Sequence, residues 1–276
     1  MITLDEKEFR RIVVFVRDRY GINLEKKFAL VQARLSLDIE RRGFGSFKDY
    51  FDKIFSDPKS IECQCMIDKL STNHTFFFRE TGCINHMRRT AIPEMLKDGV
   101  NNFMIWCAAS SSGQECYSVA MVLEDMLSLS PGRFSYSIMG SDINTQVLAA
   151  ARAGVYPIAE LEKIPSSYQK RFCRIRSDGF FEVSDELKRR MFWFRQNLMQ
   201  PFTLSRTYHI IFCRNVMIYF APEAKKKLIY SLNKVLRTGG YLYLGTTETA
   251  DSHSELFTHV APSILRRKQK ERYHAE

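Results

Sequence analysis

From residue 102 onward the chain repeats one pattern, which constrains its fold more than any other feature. A short apolar run is followed by a turn of small or polar residues and then by a stretch with apolar residues at helical spacing. Phe103-Met104-Ile105-Trp106-Cys107 leads through Ala, Ser and Gly residues into a helical stretch reaching about residue 127. Ser135 to Gly140 reads as a second strand, followed by a helix over 144–153 that ends at Gly154. Phe192-Trp193-Phe194 and His209-Ile210-Ile211-Phe212 read as further buried strands. A helix over 222–236, stopped by Gly239-Gly240, precedes a last strand at Tyr241-Leu242-Tyr243-Leu244. Short apolar strands alternating with helices predict a doubly wound α/β sheet.

Two regions depart from that rhythm. Residues 160–190 carry Lys163-Ile164-Pro165, a turn at Asp178-Gly179 and the alternating run Phe181-Glu182-Val183. They predict a helix and a short antiparallel unit inserted in the α/β domain. Residues 1 to about 90 are helical instead. Phe9, Ile12, Val13 and Val16 share one face, and Tyr20-Gly21 breaks the segment. A second helix over 24–41 places Phe28, Val31, Leu35 and Ile39 together and ends at Gly43 and Gly45. Further helices are predicted over 46–56, 59–71 and 81–97. The expected organisation is a helical N-terminal domain over 1–80, an α/β domain over 81–276, and the insertion at 160–190 within it. No internal repeat or low-complexity tract occurs.

With 45% hydrophobic residues the chain has ample material for a packed core. No apolar run reaches the roughly 20 residues that span a bilayer, and MITLDEKEFRR is not a signal peptide. The expectation is a cytoplasmic monomer without membrane insertion. The seven cysteines are odd in number and scattered, and Cys63-x-Cys65 lacks a second Cys or His pair, so reduced thiols and no metal site are expected. A formal charge of +10 favours an acidic partner without choosing among nucleic acid, anionic membrane and protein. The run Arg266-Arg267-Lys268-Gln269-Lys270 reads as a solvated tail.

Four segments carry candidate chemistry. The turn from Ala108 to Glu115 lets a ligand approach the backbone at a helix start, or is simply a tight strand-to-helix turn. Asp142, ending the second strand, suits ribose hydroxyls, with an N-cap of the next helix as the alternative. Asn144 is the other candidate for that cap. Arg214-Asn215 follows a buried strand at its carboxyl end, where open α/β sheets place ligands. Asn215 is alternatively an ordinary turn residue. The stretch Leu70 to Glu80 places three Phe between Asn, Thr, Arg and Glu, an odd helix face. Alternatively Phe76–Phe78 are simply core between the domains, and Arg79 and Glu80 are solvated charges.

Together these segments resemble CheR-type chemotaxis receptor methyltransferases. The resemblance rests on Thr-Asn-x-Thr-x-Phe-Phe-Arg-Glu, Ser-x-Gly-x-Glu-x-Tyr-Ser over 111–118, and Ser-Asp-Ile with the helix to Gly154-Val155-Tyr156. Asn197-Leu198, the block Phe212-Cys213-Arg214-Asn215-Val216 with Ile218-Tyr219-Phe220, and Gly239 to Glu248 continue it in order. It implies a Rossmann-like fold, S-adenosyl-L-methionine as cofactor, S-adenosyl-L-homocysteine as product, and glutamate carboxylates of a methyl-accepting chemoreceptor's cytoplasmic domain as substrate. Carried over by position, Asn73, Thr75 and Arg79 would line the cofactor pocket. Glu115 would bind the methionine ammonium, Asp142 the ribose, Asn197 and Leu198 the adenine, with Arg214 and Asn215 behind the methionine portion. Arg79 and Tyr219 would face the substrate carboxylate. Lys27, Arg34 and Arg41 recur every seven residues on the second helix, a basic face suited to Glu-rich receptor helices, or alternatively a solvated polar face opposite Phe28, Val31, Leu35 and Ile39. The insertion is similar to the family's β-subdomain, which tethers to a receptor's C-terminal tail. Gln114, Cys116 and His209 depart from the family pattern. The Asp/Asn-Pro-Pro-Tyr/Phe signature of enzymes that methylate amino groups of nucleic acids is absent, so no nucleic-acid partner is expected. A cofactor-binding, receptor-docking adaptor without turnover is the alternative reading.

Overall fold

The computed structural model describes residues 2–202, 207–249 and 254–269. Its first part is helical: α1 (Glu6–Tyr20), α2 (Phe28–Arg41), α3 (Phe47–Ser56) and α4 (Ile61–Leu70). Asp5, Ser46 and Ser60 cap α1, α3 and α4 by accepting backbone N–H bonds from the first turn. The apolar stripes meet in one core that includes Ile12, Val16, Val31, Leu35, Phe51, Ile54 and Met66. The second helix starts at Phe28 rather than at residue 24, because Lys27 N closes a turn onto Leu24 O (2.8 Å).

Arg34 corrects the picture of a wholly free basic face. Its Nη1 donates to the carbonyls of Lys69, Leu70 and Ser71 at 3.0–3.2 Å, which caps the C-terminus of α4. Lys27 and Arg41 remain exposed.

Residues 71–81 are not helical. Phe77 is buried against Tyr156 and Phe181, and Phe78 stacks on Tyr168. These Phe therefore pack towards the inserted unit, not between the two parts of the chain. Beyond them α5 (Gly82–His86) runs through a π-turn at Met87–Ala91 into α6 (Ile92–Lys97).

The α/β part begins with β1 (Asn102–Ala108), α7 (Gln114–Leu129), β2 (Ser135–Asp142) and α8 (Thr145–Ala153). The inserted unit holds β3 (Val155–Pro157), α9 (Ser166–Phe172), β4 (Cys173–Ile175), β5 (Phe180–Val183) and α10 (Asp185–Lys188). The main sheet then resumes with β6 (Met191–Arg195), β7 (Tyr208–Cys213), α11 (Pro222–Val235), β8 (Leu236–Leu244), β9 (Phe257–Ala261) and β10 (Ile264–Arg267). Seven strands lie in the order β6-β2-β1-β7-β8-β10-β9. All neighbours pair in parallel except β10, which is antiparallel to β8 and β9. The inserted strands form a separate antiparallel sheet, β3-β5-β4, which begins at Val155, five residues before the expected insertion. This is a Rossmann-like α/β fold with a helical N-terminal part and a small antiparallel subdomain.

Two readings of the C-terminal third are corrected. Gly239-Gly240 does not stop α11; both residues lie within β8, whose register against β7 shifts between Tyr208 and Ile210. The strand bulges there to absorb its extra residues. Arg266 and Arg267 are not tail residues but belong to β10, with Arg266 over the Tyr241 ring and Arg267 bonded to Leu236 O. Lys270 lies outside the described residues.

Among the described residues no helix is long and apolar enough to cross a membrane, and no group of three or more His, Cys, Asp or Glu is arranged to hold a metal ion. All seven cysteines are free thiols.

Candidate active site

Strand order reverses at β1, which has β2 on one side and β7 on the other. A cleft opens beyond the carboxyl ends of these strands, where an open α/β sheet leaves room between diverging connections. The sheet contributes Ser110, Ser111, Glu115, Asp142, Arg214 and Asn215 to its lining. The segment between the two parts adds Asn73, Thr75 and Arg79, and Tyr219 closes one wall. Tyr20, Leu24 and Lys27 bring the helical part into the same cleft.

The first turn is built in two halves. Gly113 has φ 92°, and a Cβ there would stand 2.9 Å from both Ala151 Cβ and the Trp193 ring. Its smallness serves the packing of α7 against α8 and β6. Ala109 and Ser111, at φ 60° and 50°, turn the backbone along the cleft. Ser111 N donates to Asp142 Oδ2 (2.8 Å), and Ser111 Oγ donates to Asn73 O (2.8 Å).

Asp142 is buried and also accepts Asn144 N on Oδ1 (2.9 Å). A carboxylate oxygen can accept more than one hydrogen bond, so Asp142 keeps acceptor capacity for hydroxyls. Burial raises its pKa, opposed by those N–H bonds. The cap of α8 is Asn144, whose Oδ1 accepts from Gln146 N and Val147 N. Asn144 Nδ2 also reaches Asp68 O and Ser71 Oγ, tying α4 to the cleft floor.

Opposite lies a chain of alternating charge. Arg214 is buried, and its Nη1 donates to Glu115 Oε2 (2.7 Å) while Nη2 donates to Glu80 Oε2 (3.1 Å). Burial raises the Glu115 pKa, with Arg214 opposing. Asn215, at φ 55°, is held by two acids: its Nδ2 donates to Glu80 Oε1 (3.1 Å) and its N–H to Glu248 Oε2 (2.8 Å). Glu248 further accepts from Gly245 N and Ile218 N, which anchors the turn carrying Tyr219. Arg79 lies across the cleft wall, its guanidinium donating to His74 O (2.9 Å) above the Phe76 ring.

The sequence-derived residues Asn73, Thr75, Arg79, Glu115, Asp142, Asn197, Leu198, Arg214, Asn215, Tyr219 and Lys27 thus surround one cleft. Arg34 and Arg41 do not line it. Asn197 lines it with its side chain already engaged, accepting from Met199 N and donating to Arg19 O. Sequence reasoning gave no role to Glu80, Glu248, Asp68 or Ser111. Their partners lie up to 166 residues away, as for Glu80 and Thr246, and no local spacing reports them. Of the family departures, Gln114 bonds Ser112 and Glu160, and His209, on β7, faces Met104 N and Arg237 of β8; neither lines the cleft.

An open sheet whose order reverses at a cleft, with a buried acid closing the neighbouring strand, defines a nucleoside-binding α/β protein. Residues 73–264 match the family model described as CheR methyltransferase, SAM binding domain, and residues 7–71 match the CheR methyltransferase all-alpha domain. The chain is 32% identical to a chemotaxis protein methyltransferase of Borreliella burgdorferi over 96% of both chains. It is 35% identical to one from Vibrio parahaemolyticus, over 96% of this chain and 98% of the relative. It is 34% identical to one from Escherichia coli, over 94% and 87%. The chain belongs to the CheR methyltransferase family, and its cofactor is S-adenosyl-L-methionine. The cleft suits that ligand: Ser110 Oγ and Arg214 Nε are buried in its lining without a hydrogen-bond partner, and Asp142 and Glu115 supply acceptors for hydroxyl and ammonium groups.

Proposed function

We propose that this protein methylates glutamate side chains on the cytoplasmic domain of a chemoreceptor, giving methyl esters for sensory adaptation. The observation that carries this reading is Arg79, a guanidinium held at the cleft by His74 O and Phe76, paired to Glu80 only at 3.6 Å. An incoming carboxylate meets a cation there that is oriented by those contacts and only loosely paired within the chain.

S-adenosyl-L-methionine, when bound, would supply an electrophilic methyl to a glutamate oxygen, with S-adenosyl-L-homocysteine as the leaving group and a neutral ester as product. Glutamate, with an ordinary pKa of about 4.3, is already ionised at neutral pH, so no residue has to remove a proton. The chain's work is alignment. Asp142 takes the ribose, Glu115 the methionine ammonium, Asn73 and Thr75 line the cofactor's side, and Arg214 and Asn215 close it from behind. Asn197 and Leu198 flank the adenine, Asn197 by the surface it presents, since its amide is bonded elsewhere. Arg79 orients the substrate carboxylate, and Tyr219 donates to it or shapes its pocket. Lys27 and Arg41 steer acidic receptor helices, with Arg34 holding α4 in place behind them. The β3-β5-β4 unit is the candidate tether for a receptor tail.

The test is transfer of labelled methyl from S-adenosyl-L-methionine to a receptor cytoplasmic fragment, followed by mild base. Base-labile label is expected, and Arg79→Ala and Tyr219→Phe should lose transfer more than cofactor binding. Cofactor binding with no transfer would favour a docking adaptor, and base-stable label would overturn ester formation.

A further inference from the structure

Glu80, which the sequence leaves as a possible solvated charge, has its carboxylate occupied on both oxygens. Oε1 accepts from Asn215 Nδ2, and Oε2 accepts from Arg214 Nη2 and from Thr246 N, all at 3.1 Å. Burial acts to raise its pKa, but Asn215, the Thr246 N–H and Arg214 outweigh it and hold it below the ordinary value. The acid is therefore ionised whenever the protein is folded near neutral pH.

The backbone around it is unusual. Phe78 and Glu80 have φ of 55° and 48°, so two residues in left-handed conformation flank Arg79. Such a bend persists only when its surroundings enforce it. Arg214 Nη2 does so by donating to the carbonyls of both Arg79 (3.0 Å) and Glu80 (3.2 Å). One consequence is that the Arg79 side chain enters the cleft while Glu80 turns beneath it. Arg79 Nε then lies 3.6 Å from Glu80 Oε1, beyond hydrogen-bond length but well inside Coulombic range.

Resting on the esterification reading above, we propose that Glu80 is a positioning residue that moderates the grip of Arg79 on the substrate carboxylate. A carboxylate clasped by an unopposed guanidinium binds tightly, but its lone pairs are engaged and its oxygen attacks poorly. Glu80 offsets part of that charge without itself lining the cleft. It does so while clamped to Arg214 and Asn215, so the strength of the grip is set by the same residues that back the cofactor.

The experiment compares full-length wild type with Glu80→Gln, using labelled transfer to a receptor fragment and calorimetry with S-adenosyl-L-homocysteine. The Gln variant should bind S-adenosyl-L-homocysteine within roughly threefold of wild type, lose roughly tenfold or more in kcat, and show a lower receptor KM. A fall in kcat together with a fall in KM is what a merely structural role would not produce. Unchanged kcat and KM would overturn the proposal, as would a lost kcat accompanied by a raised KM. Because the Gln amide meets three donors, Glu80→Asp supplies a second reading: it keeps the charge and should return KM to the wild-type value. An Asp variant with a KM as low as that of the Gln variant overturns the proposal. Absence of base-labile label on wild type itself overturns the esterification reading, an outcome distinct from a Glu80 effect that fails to appear on an active wild type.

Discussion

At the scale of single residues, Arg34 and Arg41 share a helical face in the sequence but not a job in the fold. Arg34 bonds three carbonyls at the end of α4, while Arg41 is exposed. Removing Arg34 strands acceptors that are only partly open to water, so Arg34→Ala should cost about 1–3 kcal/mol in urea unfolding. Arg41→Ala should leave the unfolding midpoint unchanged; equal midpoints for the two variants would contradict the assignment. The periodicity that groups these arginines reports a face and nothing about what the face meets. Asp142 and Asn144 show the opposite case. Their position after a buried strand offers both a ligand carboxylate and a cap as candidate roles, and the hydrogen bonds give the cap to Asn144 while Asp142 accepts Ser111 N and Asn144 N. Glu248 was legible only as a letter in a pattern, because what it holds is three backbone N–H groups, and backbone partners leave no trace in side-chain spacing.

At the scale of elements, the strands with continuous apolar runs were the legible ones. All six residues of β7 are buried, so its run in the sequence is unbroken. The hairpin β9–β10 went unread because β9 buries only Phe257 fully and leaves three consecutive residues exposed, a pattern with neither strand nor helix period. The segment 71–81 misled for another reason: its Phe cluster is apolar without being periodic, and the chain bends through left-handed residues instead of coiling. Within β7, His209 carries a pH signature. Burial and the nearby Arg237 depress its pKa from 6.5 to about 4. A depressed folded-state pKa means that folding is favoured above pH 6.5 and that this contribution is lost as pH falls from 6.5 towards 4. The full shift corresponds to at most roughly 3 kcal/mol. His209→Asn, which keeps an acceptor near Met104 N, should flatten the stability profile over that window. Parallel wild-type and variant profiles in chemical unfolding at pH 7 and pH 4.5, the conditions chosen to straddle roughly one proton uptake, would contradict this.

At the scale of the whole molecule, the helical part is stitched to the sheet at the cleft itself. Ile22 bridges Phe220 through two backbone hydrogen bonds, Asn23 N donating to Tyr219 O (2.8 Å) and Ala221 N donating to Gly21 O (3.0 Å). Gly21 sits at φ 72°, where a Cβ would come within 2.7 Å of Met199 Sδ and 3.1 Å of Ala224 Cβ. Gly21→Ala should therefore strain the joint, lowering stability by about 1–3 kcal/mol and weakening cofactor binding in calorimetry. A variant of unchanged stability and cofactor affinity would show that the joint tolerates displacement. The stitch has a thermodynamic corollary. The segment that walls the cleft also leads into α2, so under the docking reading it would belong to two binding equilibria at once. If a macromolecule on α2 shifts that segment and changes cofactor affinity by some factor, the cofactor must change the affinity for that macromolecule by the same factor. Heterotropic linkage of this kind would need no moving domain: the two backbone hydrogen bonds of one bridge would make the occupancy of one surface a term in the occupancy of the other.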